Sequence, residues 1–198
     1  MIFQLKRSLY WIVGALLIML GGCASSKPTP EFTAADFNVQ AINEVVVLSV
    51  IDGRTNVSNN NKLDRWTKKI VKKILKKKRI DYSFEQAPEF IEAYSSEGLI
   101  NEDPEMIATL GPEGSRWLLL FVLHDASKKI SLGATGEAEM TGYIFDKKTN
   151  EIVWRNTEIA KANQGGLLGV AMGGVMKVTA IQMAAGAVLE GLPKKEKQ

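Results

Sequence analysis

The sequence predicts a single α/β domain in which a mixed β-sheet of about five strands is flanked by helices. Two apolar segments of strand length, residues 45–51 and 116–123, are continuous enough to form buried central strands. Between them, residues 63–79 have the periodicity of an amphipathic helix. Residues 132–145 and 151–160 contain partial alternation of apolar and polar side chains, which indicates an antiparallel hairpin.

Composition limits the kinds of site that the domain can carry. The chain has 198 residues, of which 45% are hydrophobic and 24% are charged, as in a globular protein. Its one cysteine excludes an internal disulfide framework and a thiolate-rich zinc site, and its one histidine leaves few routes to a histidine-based metal site. Glycine motifs for phosphate or dinucleotide binding do not occur. We therefore expect neither a metal nor a small-molecule cofactor.

The first residues have the layout of a bacterial secretory signal. Lys6 and Arg7 form a short positive region, and residues 9–20 form the apolar core. This core is shorter than the roughly 20 residues that a membrane-spanning helix needs. A cleaved signal is therefore a better interpretation than a spanning helix.

The end of this core, Leu20-Gly21-Gly22-Cys23, resembles the bacterial lipobox. The resemblance implies that residues 1–22 are removed and that Cys23 is lipidated, with several acyl chains that anchor the protein stably. The alternative is an uncleaved anchor, because residues 8–26 carry no charge. By resemblance to enterobacterial sorting, Ala24 favours the outer membrane on its periplasmic side, with the inner membrane and the cell surface as alternatives.

The rest of the chain divides into three parts. Residues 23–40, which include Pro28 and Pro30, are expected to form the lipidated cysteine and a flexible tether. Residues 41–192 form the α/β domain, and residues 193–198 form a charged tail. Removal of the signal, with its two basic residues, leaves 23 basic and 22 acidic side chains. This balance and the compartment argue against a nucleic-acid partner.

Local patterns define the elements of the domain in order. The strand over 45–51 ends at the turn residues Asp52-Gly53-Arg54, and the helix over 63–79 separates an apolar half from a basic half. The hairpin strands are joined by a polar turn, and residues 165–174 are expected to form mostly an apolar loop, because each glycine costs a helix about 1 kcal/mol. The remaining predictions are a strand over 81–86, helices over 88–96 and 104–110 with proline in the first turn, and a final helix over 175–189.

Taken in order, these segments resemble one family. A lipobox precedes a valine-rich strand ending in Asp-Gly-Arg, and the hairpin motif Phe-Asp-x-x-Thr-x-Glu-Ile-Val-Trp spans residues 145–154. A Gly-Gly-Leu-Leu-Gly stretch at 165–169 and a helix closed by Leu192-Pro193 follow. The arrangement is similar to bacterial outer-membrane lipoproteins of unknown function with a domain like the TolB amino-terminal domain. The sequence resembles CsgG and the penicillin-binding-protein activator LpoB more distantly, in fold. The resemblance implies a fold over about residues 20–193 and offers no catalytic residues.

The basic half of the helix is the first candidate site. Eight of the twelve residues from 68 to 79 are Lys or Arg, whereas residues 80–115 contain nine acidic side chains and no basic one. The basic face suits an anionic partner, namely lipid head groups, lipopolysaccharide phosphates or an acidic protein. The alternatives are a merely solvated face, pairing within the domain, and pairing between copies of an oligomer. The face comprises Lys68, Lys69, Lys72, Lys73, Lys76 and Arg79.

The glycine-rich stretch is the second candidate site. Gly165, Gly169 and Gly173 are spaced four residues apart, and Leu167 and Leu168 lie between the first two. Exposed apolar side chains here would favour self-association or contact with a membrane surface. The alternative is packing against the core of the same domain.

Catalytic candidates are few. His124 lies at the end of a predicted strand, where ligand sites of α/β domains form, but no Gly-x-Ser-x-Gly motif supplies a nucleophile. A lone histidine in this position is more often structural. Asp52 and Arg54 also follow a strand and are candidates for binding a polar ligand, although turn formation explains Asp52 and Gly53 equally well.

The sequence thus favours a lipid-anchored, periplasm-facing lipoprotein that acts in assembly of the cell envelope or as an accessory of a transport machine. We expect it not to be an enzyme. Its expected partners are the membrane, through Cys23, and an envelope protein or further copies of itself. One alternative is an oligomeric secretion channel of the CsgG type, although the predicted hairpin reaches bilayer length only marginally. The more remote alternative is a hydrolase that uses His124.

Overall fold

The computed structural model describes residues 29–54, 61–85, 96–131, 133–166, 171 and 173–197. Within these residues the chain forms a mixed seven-stranded sheet with four α-helices, which confirms the predicted α/β class. The strands are β1 (Phe32–Thr33), β2 (Glu44–Val47), β3 (Ile51–Asp52), β4 (Asp81–Phe84), β5 (Trp117–Ile130), β6 (Gly133–Asp146) and β7 (Glu151–Gly165). The helices are α1 (Asn61–Lys78), α2 (Ser96–Ile100), α3 (Pro104–Ala108) and α4 (Gly173–Glu190).

The sheet has a parallel half and an antiparallel half. Its strand order is β1-β7-β6-β5-β2-β4, and β3 pairs with β5 beyond the end of β2. Strand β2 is parallel to β4 and to β5, as is β3 to β5. Strands β5, β6 and β7 are antiparallel neighbours, and β1 adds antiparallel to β7. The predicted hairpin is therefore present as β6 and β7.

The predicted strand over residues 45–51 is interrupted. Its residues form β2 and β3, and the chain leaves the regular ladder between them. At the break, the N–H of Val50 donates to a carboxylate oxygen of Asp64, in the first turn of α1, at 3.3 Å instead of to a neighbouring strand. The apolar run alone does not reveal this interruption.

The two faces of the sheet carry separate cores. Alternate residues of β2 and β5, such as Val47 and Leu119, face α1 and α4. Their neighbours, such as Val46 and Leu118, face α2 and α3. Because successive strand side chains point to opposite faces, the sheet lies between two helical layers. The hydroxyl of the fully buried Tyr143 donates to the carbonyl of Leu99 at 3.2 Å, and burial, with the charge of Glu102, raises the pKa of its phenol.

Helix ends follow local chemistry. Helix α1 ends in a Schellman motif in which Arg79 adopts a left-handed conformation (φ 62°) and Ile80 N–H donates to the carbonyl of Leu75 at 3.0 Å. Helix α3 begins as predicted, with Pro104 in its first turn and Asp103 as the N-cap. The predicted helix over 88–96 lies, except for its last residue, outside the described residues, and α2 was not predicted.

Three elements extend beyond their predicted bounds. Strand β5 continues to Ile130 and β7 to Gly165. Helix α4 begins at Gly173, two residues before the predicted start. Strand β1 lies in the segment predicted as tether, where Phe32 pairs with Arg155 of β7. Among the described helices, none is long and apolar enough to cross a membrane.

Candidate functional site: the basic surface of α1 and the groove beside α4

Helix α1 buries one side and exposes the other. Leu63, Val71, Ile74 and Leu75 are buried in the core, as the apolar periodicity predicts. The opposite side carries the exposed residues that we call the basic surface: Lys69, Lys72, Lys73, Lys76 and Arg79. Within the described part of the chain, none of these five forms an ion pair. The predicted anionic-partner face is thus largely open to solvent.

Lys68, the remaining residue of the predicted face, makes contacts within the domain. Its ammonium lies 2.6 Å from a carboxylate oxygen of Asp64, one turn earlier in α1. It also lies 5.7 Å from the centroid of the Phe84 ring, which places it in a cation–π contact. Lys68 therefore contributes to local packing, and its charge is partly neutralised.

The C-terminal segment is fixed beside the end of α1. The buried ammonium of Lys78 donates to the carbonyl oxygen of Glu190 at 2.9 Å and to that of Leu192. The N–H of Lys195 donates to the carbonyl of Lys78 at 3.0 Å, and its ammonium donates to the carbonyl of Ile42 at 2.9 Å. The tail, with the exposed Lys194, therefore lies near the basic surface.

A groove runs between α1 and α4. It has a volume of about 700 Å³, which is within the range of ligand-sized clefts. Gly186 lies where the helices meet, and a Cβ there would be in ordinary van der Waals contact, 3.5 Å from the Cγ1 of Ile70. Met183 lines the groove and is 47% exposed. Its other lining residues are Ile74, Ala187, Thr179, Gln182, Lys73, Lys77 and Glu190.

The acidic block lies mostly away from the basic surface. Asp103, Glu105 and Glu113 are exposed residues of α3 and its flanking loops, which we call the acidic surface. Because α3 packs on the opposite face of the sheet from α1, these carboxylates do not neutralise the basic surface. Asp81, at the edge strand β4, is an exposed exception close to the end of α1. Side chains of residues 86–97 are not described.

The glycine-rich candidate is only partly described. Gly165 is the last residue of β7, and Gly173 is the first residue of α4. Gly169, Leu167 and Leu168 lie outside the described residues. Their proposed role in self-association or membrane contact therefore stays a prediction.

His124 takes part in a chain of hydrogen bonds across the sheet. Its Nε2 lies 2.8 Å from the hydroxyl of Thr141, which lies 2.8 Å from the hydroxyl of Thr157. Thr157 donates to a carboxylate oxygen of Glu31 at 2.9 Å. Because the chain ends on an acceptor, Thr157 accepts from Thr141, which accepts from His124 Nε2–H. This series of hydrogen bonds ties the segment before β1 to the sheet and gives His124 a structural role.

Asp52 and Arg54 bind each other at the carboxyl end of β3. The Nε of Arg54 donates to Asp52 at 2.6 Å, and a second guanidinium nitrogen donates to its other oxygen. These hydrogen bonds raise the pKa of Arg54. Lys177, on α4, lies near this pair, and burial together with the charge of Arg54 lowers its pKa. Asp52 and Arg54, the two candidates for binding a polar ligand, therefore already have each other as hydrogen-bond partners.

The strands on which the secretion-channel alternative depends are longer than predicted. Strands β5 and β6 have 14 residues each, and β7 has 15, compared with about 9–11 for a membrane-spanning strand. Beyond the central core, however, one face buries alanines such as Ala138 and Ala160 in the core that includes α4. The other face carries Glu137, Glu139 and Lys161, of which Glu137 and Lys161 are paired at 3.0 Å. The same face also carries the exposed Ile159, beside Glu139, so its described residues are a mixture of charged and apolar side chains.

Comparisons with known proteins yield similarity of fold only. No family model matches the chain, and no curated protein matches it. Similar solved structures include a PelC dodecamer from Paraburkholderia phytofirmans (12% identity, 80% of this chain, 94% of that chain, TM-score 0.45). Two further examples are a lipoprotein from Neisseria meningitidis (12%, 69%, 97%, 0.41) and a minor lipoprotein from Acinetobacter baumannii (10%, 78%, 98%, 0.42). The resemblance to the TolB amino-terminal domain is not tested by these structures and stays a prediction.

The sequence identified the basic residues but not the groove beside them. The periodicity of α1 separates its lysines from its apolar side chains, which was enough to predict an exposed basic face. The groove depends on α4 packing beside α1, although more than a hundred residues separate Ile70 from Met183 in the chain. The feature of the sequence that could have indicated an apolar groove was the low charge of α4, in which Lys177 and Glu190 are the only charged residues.

Proposed function

We propose that this protein is a lipoprotein of the outer membrane, anchored through lipidated Cys23 and facing the periplasm. In this proposal it binds an anionic component of the envelope through the basic surface and catalyses no reaction. The lipobox at residues 20–23 supports the anchor. The openness of the basic surface to solvent supports the binding role.

One observation carries the binding role, namely the spacing of like charges along α1. Within the basic surface, Lys69 and Lys73, and Lys72 and Lys76, are four residues apart, and neither pair has an acidic partner among the described residues. Each such pair of like charges destabilises a helix by about 0.2–0.5 kcal/mol. The solvated side of α1 is thus not arranged for stability, which is the pattern expected of a surface that binds anions.

Reversal of one central charge separates binding from folding. We predict that Lys72→Glu stabilises the domain by about 0.5–1 kcal/mol, because it makes Lys68 and Lys76 favourable partners. The same change should weaken the crosslink of the protein to its anionic partner in intact cells. Unfolding by urea measures the first effect, and crosslinking with a photoreactive reagent, which does not depend on the amine of residue 72, measures the second. Lys72→Gln, which removes the charge without reversing it, is the control.

The anchor is tested separately. In Cys23→Ser the protein should leave the membrane fraction, whereas Ser25→Ala should stay there. Mass spectrometry of the N-terminal peptide should find an acylated Cys23. An intact Met1 with an unmodified thiol would overturn the anchor, and a crosslinking pattern that is identical in Lys72→Glu would overturn the binding role.

A further inference from the structure

The described domain is electrically asymmetric across its sheet. The basic surface lies on the helical layer of α1 and α4, and Lys194 and Lys197 of the C-terminal segment are also exposed. The acidic surface lies on the layer of α2 and α3. The layer of α2 and α3 also carries Lys147, whose ammonium donates to the carbonyl of Leu110 at 2.9 Å. An anionic plane therefore attracts the basic surface more strongly than it attracts the layer of α2 and α3.

Apolar side chains accompany the basic ones on the same layer. Val175 and Met183 of α4 are 49% and 47% exposed. Between Lys177 and Glu190, helix α4 has no charged residue. The groove lies between this uncharged stretch of α4 and the lysines of α1, and its one acidic lining residue, Glu190, pairs with Lys77 at 3.1 Å. Exposed apolar side chains flanked by lysines are typical of a surface that binds at the boundary between head groups and acyl chains.

The predicted anchor brings this layer within reach of a bilayer. Six peptide units separate Cys23 from Thr29, where the described chain begins. At about 3.3–3.6 Å per residue, they span at most about 20 Å. A domain held at this distance stays next to the membrane, and its uneven charge favours the approach of the basic surface.

We propose that the anchored domain lies with its α1–α4 layer on a bilayer of anionic phospholipid. The basic surface contacts lipid phosphates, Met183 and the groove face the acyl boundary, and the acidic surface points away from the membrane. This inference rests on the proposed lipid anchor. An anionic bilayer is favoured over a second copy of the chain because it offers both negative charge and an apolar layer. The acidic surface of a second copy matches only the charge.

The lone cysteine makes the orientation measurable in the full-length lipoprotein. Cys23 is the only cysteine and is consumed by lipidation in the proposed protein. Met183→Cys therefore introduces a single free thiol in the groove, and Glu105→Cys introduces one on the acidic surface as a matched control. Each variant is labelled with a fluorophore and placed in vesicles of phosphatidylethanolamine and phosphatidylglycerol that contain spin-labelled lipid. Vesicles of phosphatidylcholine alone provide the uncharged comparison.

We expect the spin-labelled lipid to quench the label at residue 183 at least about twofold more than the label at residue 105 in anionic vesicles. The difference should disappear in phosphatidylcholine. It should also disappear when Lys69→Glu, Lys72→Glu, Lys73→Glu and Lys76→Glu are combined, because four positive charges of the basic surface become negative. Circular dichroism checks that this variant keeps its fold.

Three results would overturn the orientation. One is equal or greater quenching at residue 105 in anionic vesicles. Another is a difference that survives reversal of the four lysines. A third is disulfide crosslinking between residues 183 of two copies without quenching, which would identify a second copy as the occupant. If Cys23 were not lipidated, its free thiol would take up a second fluorophore per chain and the protein would not stay on vesicles. These two results together would overturn the lipid anchor and this inference with it.

Discussion

Two neighbouring lysines of α1 show how strongly the surroundings of a residue determine its contribution to the stability of the domain. The side chain of Lys78 is 8% exposed and binds two carbonyl oxygens of the C-terminal segment, whereas that of Lys77 is 68% exposed and pairs with Glu190 at 3.1 Å. We predict that Lys78→Met lowers the free energy of unfolding by about 1–3 kcal/mol, because buried carbonyls lose their donor. Lys77→Met should change it by less than about 1 kcal/mol. Urea unfolding of both variants tests this difference, and equal effects would contradict it.

Asp146 gives a residue-scale prediction for pH. Burial opposes its charged form, but hydrogen bonds from the Arg116 guanidinium (2.9 and 2.7 Å) and from Lys148 N–H (2.9 Å) outweigh it and hold the pKa of this carboxyl below its usual value. A lowered pKa in the folded state stabilises the protein above the unfolded-state pKa of about 3.9. That stabilisation is lost as the pH falls below this value.

Asp146→Asn should therefore be less stable than the unmodified protein at pH 7 and should depend less on pH in the acid range. Urea unfolding between about pH 5 and pH 3 measures the slope of stability with pH. Glu151→Gln, at an exposed position of the same hairpin, is the control. Parallel pH profiles for the unmodified protein and Asp146→Asn would show that the ion pair does not set the acid dependence.

At the scale of elements, the contact of α4 with the sheet depends on one glycine. A Cβ at Gly136 in β6 would lie 2.3 Å from the carbonyl carbon and oxygen of Met176, which are backbone atoms and cannot turn aside. Gly136→Ala should therefore destabilise the domain by about 3 kcal/mol through overpacking. Gly174→Ala, with nothing within 4 Å, should stabilise α4 slightly. Thermal unfolding distinguishes the two variants, and similar melting temperatures would mean that α4 can shift away from β6.

The difference between side-chain packing on the core and backbone pairing explains why some element bounds were predictable and others were not. The apolar periodicity of α1 and the strand pattern at the start of β5 come from side chains that pack on the main core, so the sequence displays them. The ends of β5 and β7 are polar, with Lys128, Lys129 and Lys161, and are held by backbone pairing to β6. Pairing of this kind leaves little trace in hydrophobicity. Strand β1 is missed for the same reason, since only two of its residues pair.

At the scale of the whole molecule, a nearly balanced charge conceals a strongly uneven distribution. The formal net charge is +3 over 198 residues, and two of the basic residues belong to the predicted signal. Composition therefore argues against strong binding to polyanions. The structure separates the basic surface from the acidic surface across the sheet, and local potential depends on this separation more than on the sum. The sequence predicted two charge blocks but not their placement on opposite faces, which requires the tertiary fold.

Ion-exchange chromatography of the full-length protein in a neutral detergent tests this uneven distribution. We predict that a sulfonate matrix retains the protein at pH 7 despite its small net charge, because the basic surface can face the matrix alone. Lys72→Glu combined with Lys76→Glu should elute at clearly lower salt. Lys129→Glu combined with Lys148→Glu changes the net charge equally, at exposed positions outside α1, and should shift elution much less. Because salt at about 0.1 M screens charges over about 10 Å, retention reports local clusters rather than the total. Equal shifts for the two double variants would mean that net charge, and not the basic surface, governs binding to anionic surfaces.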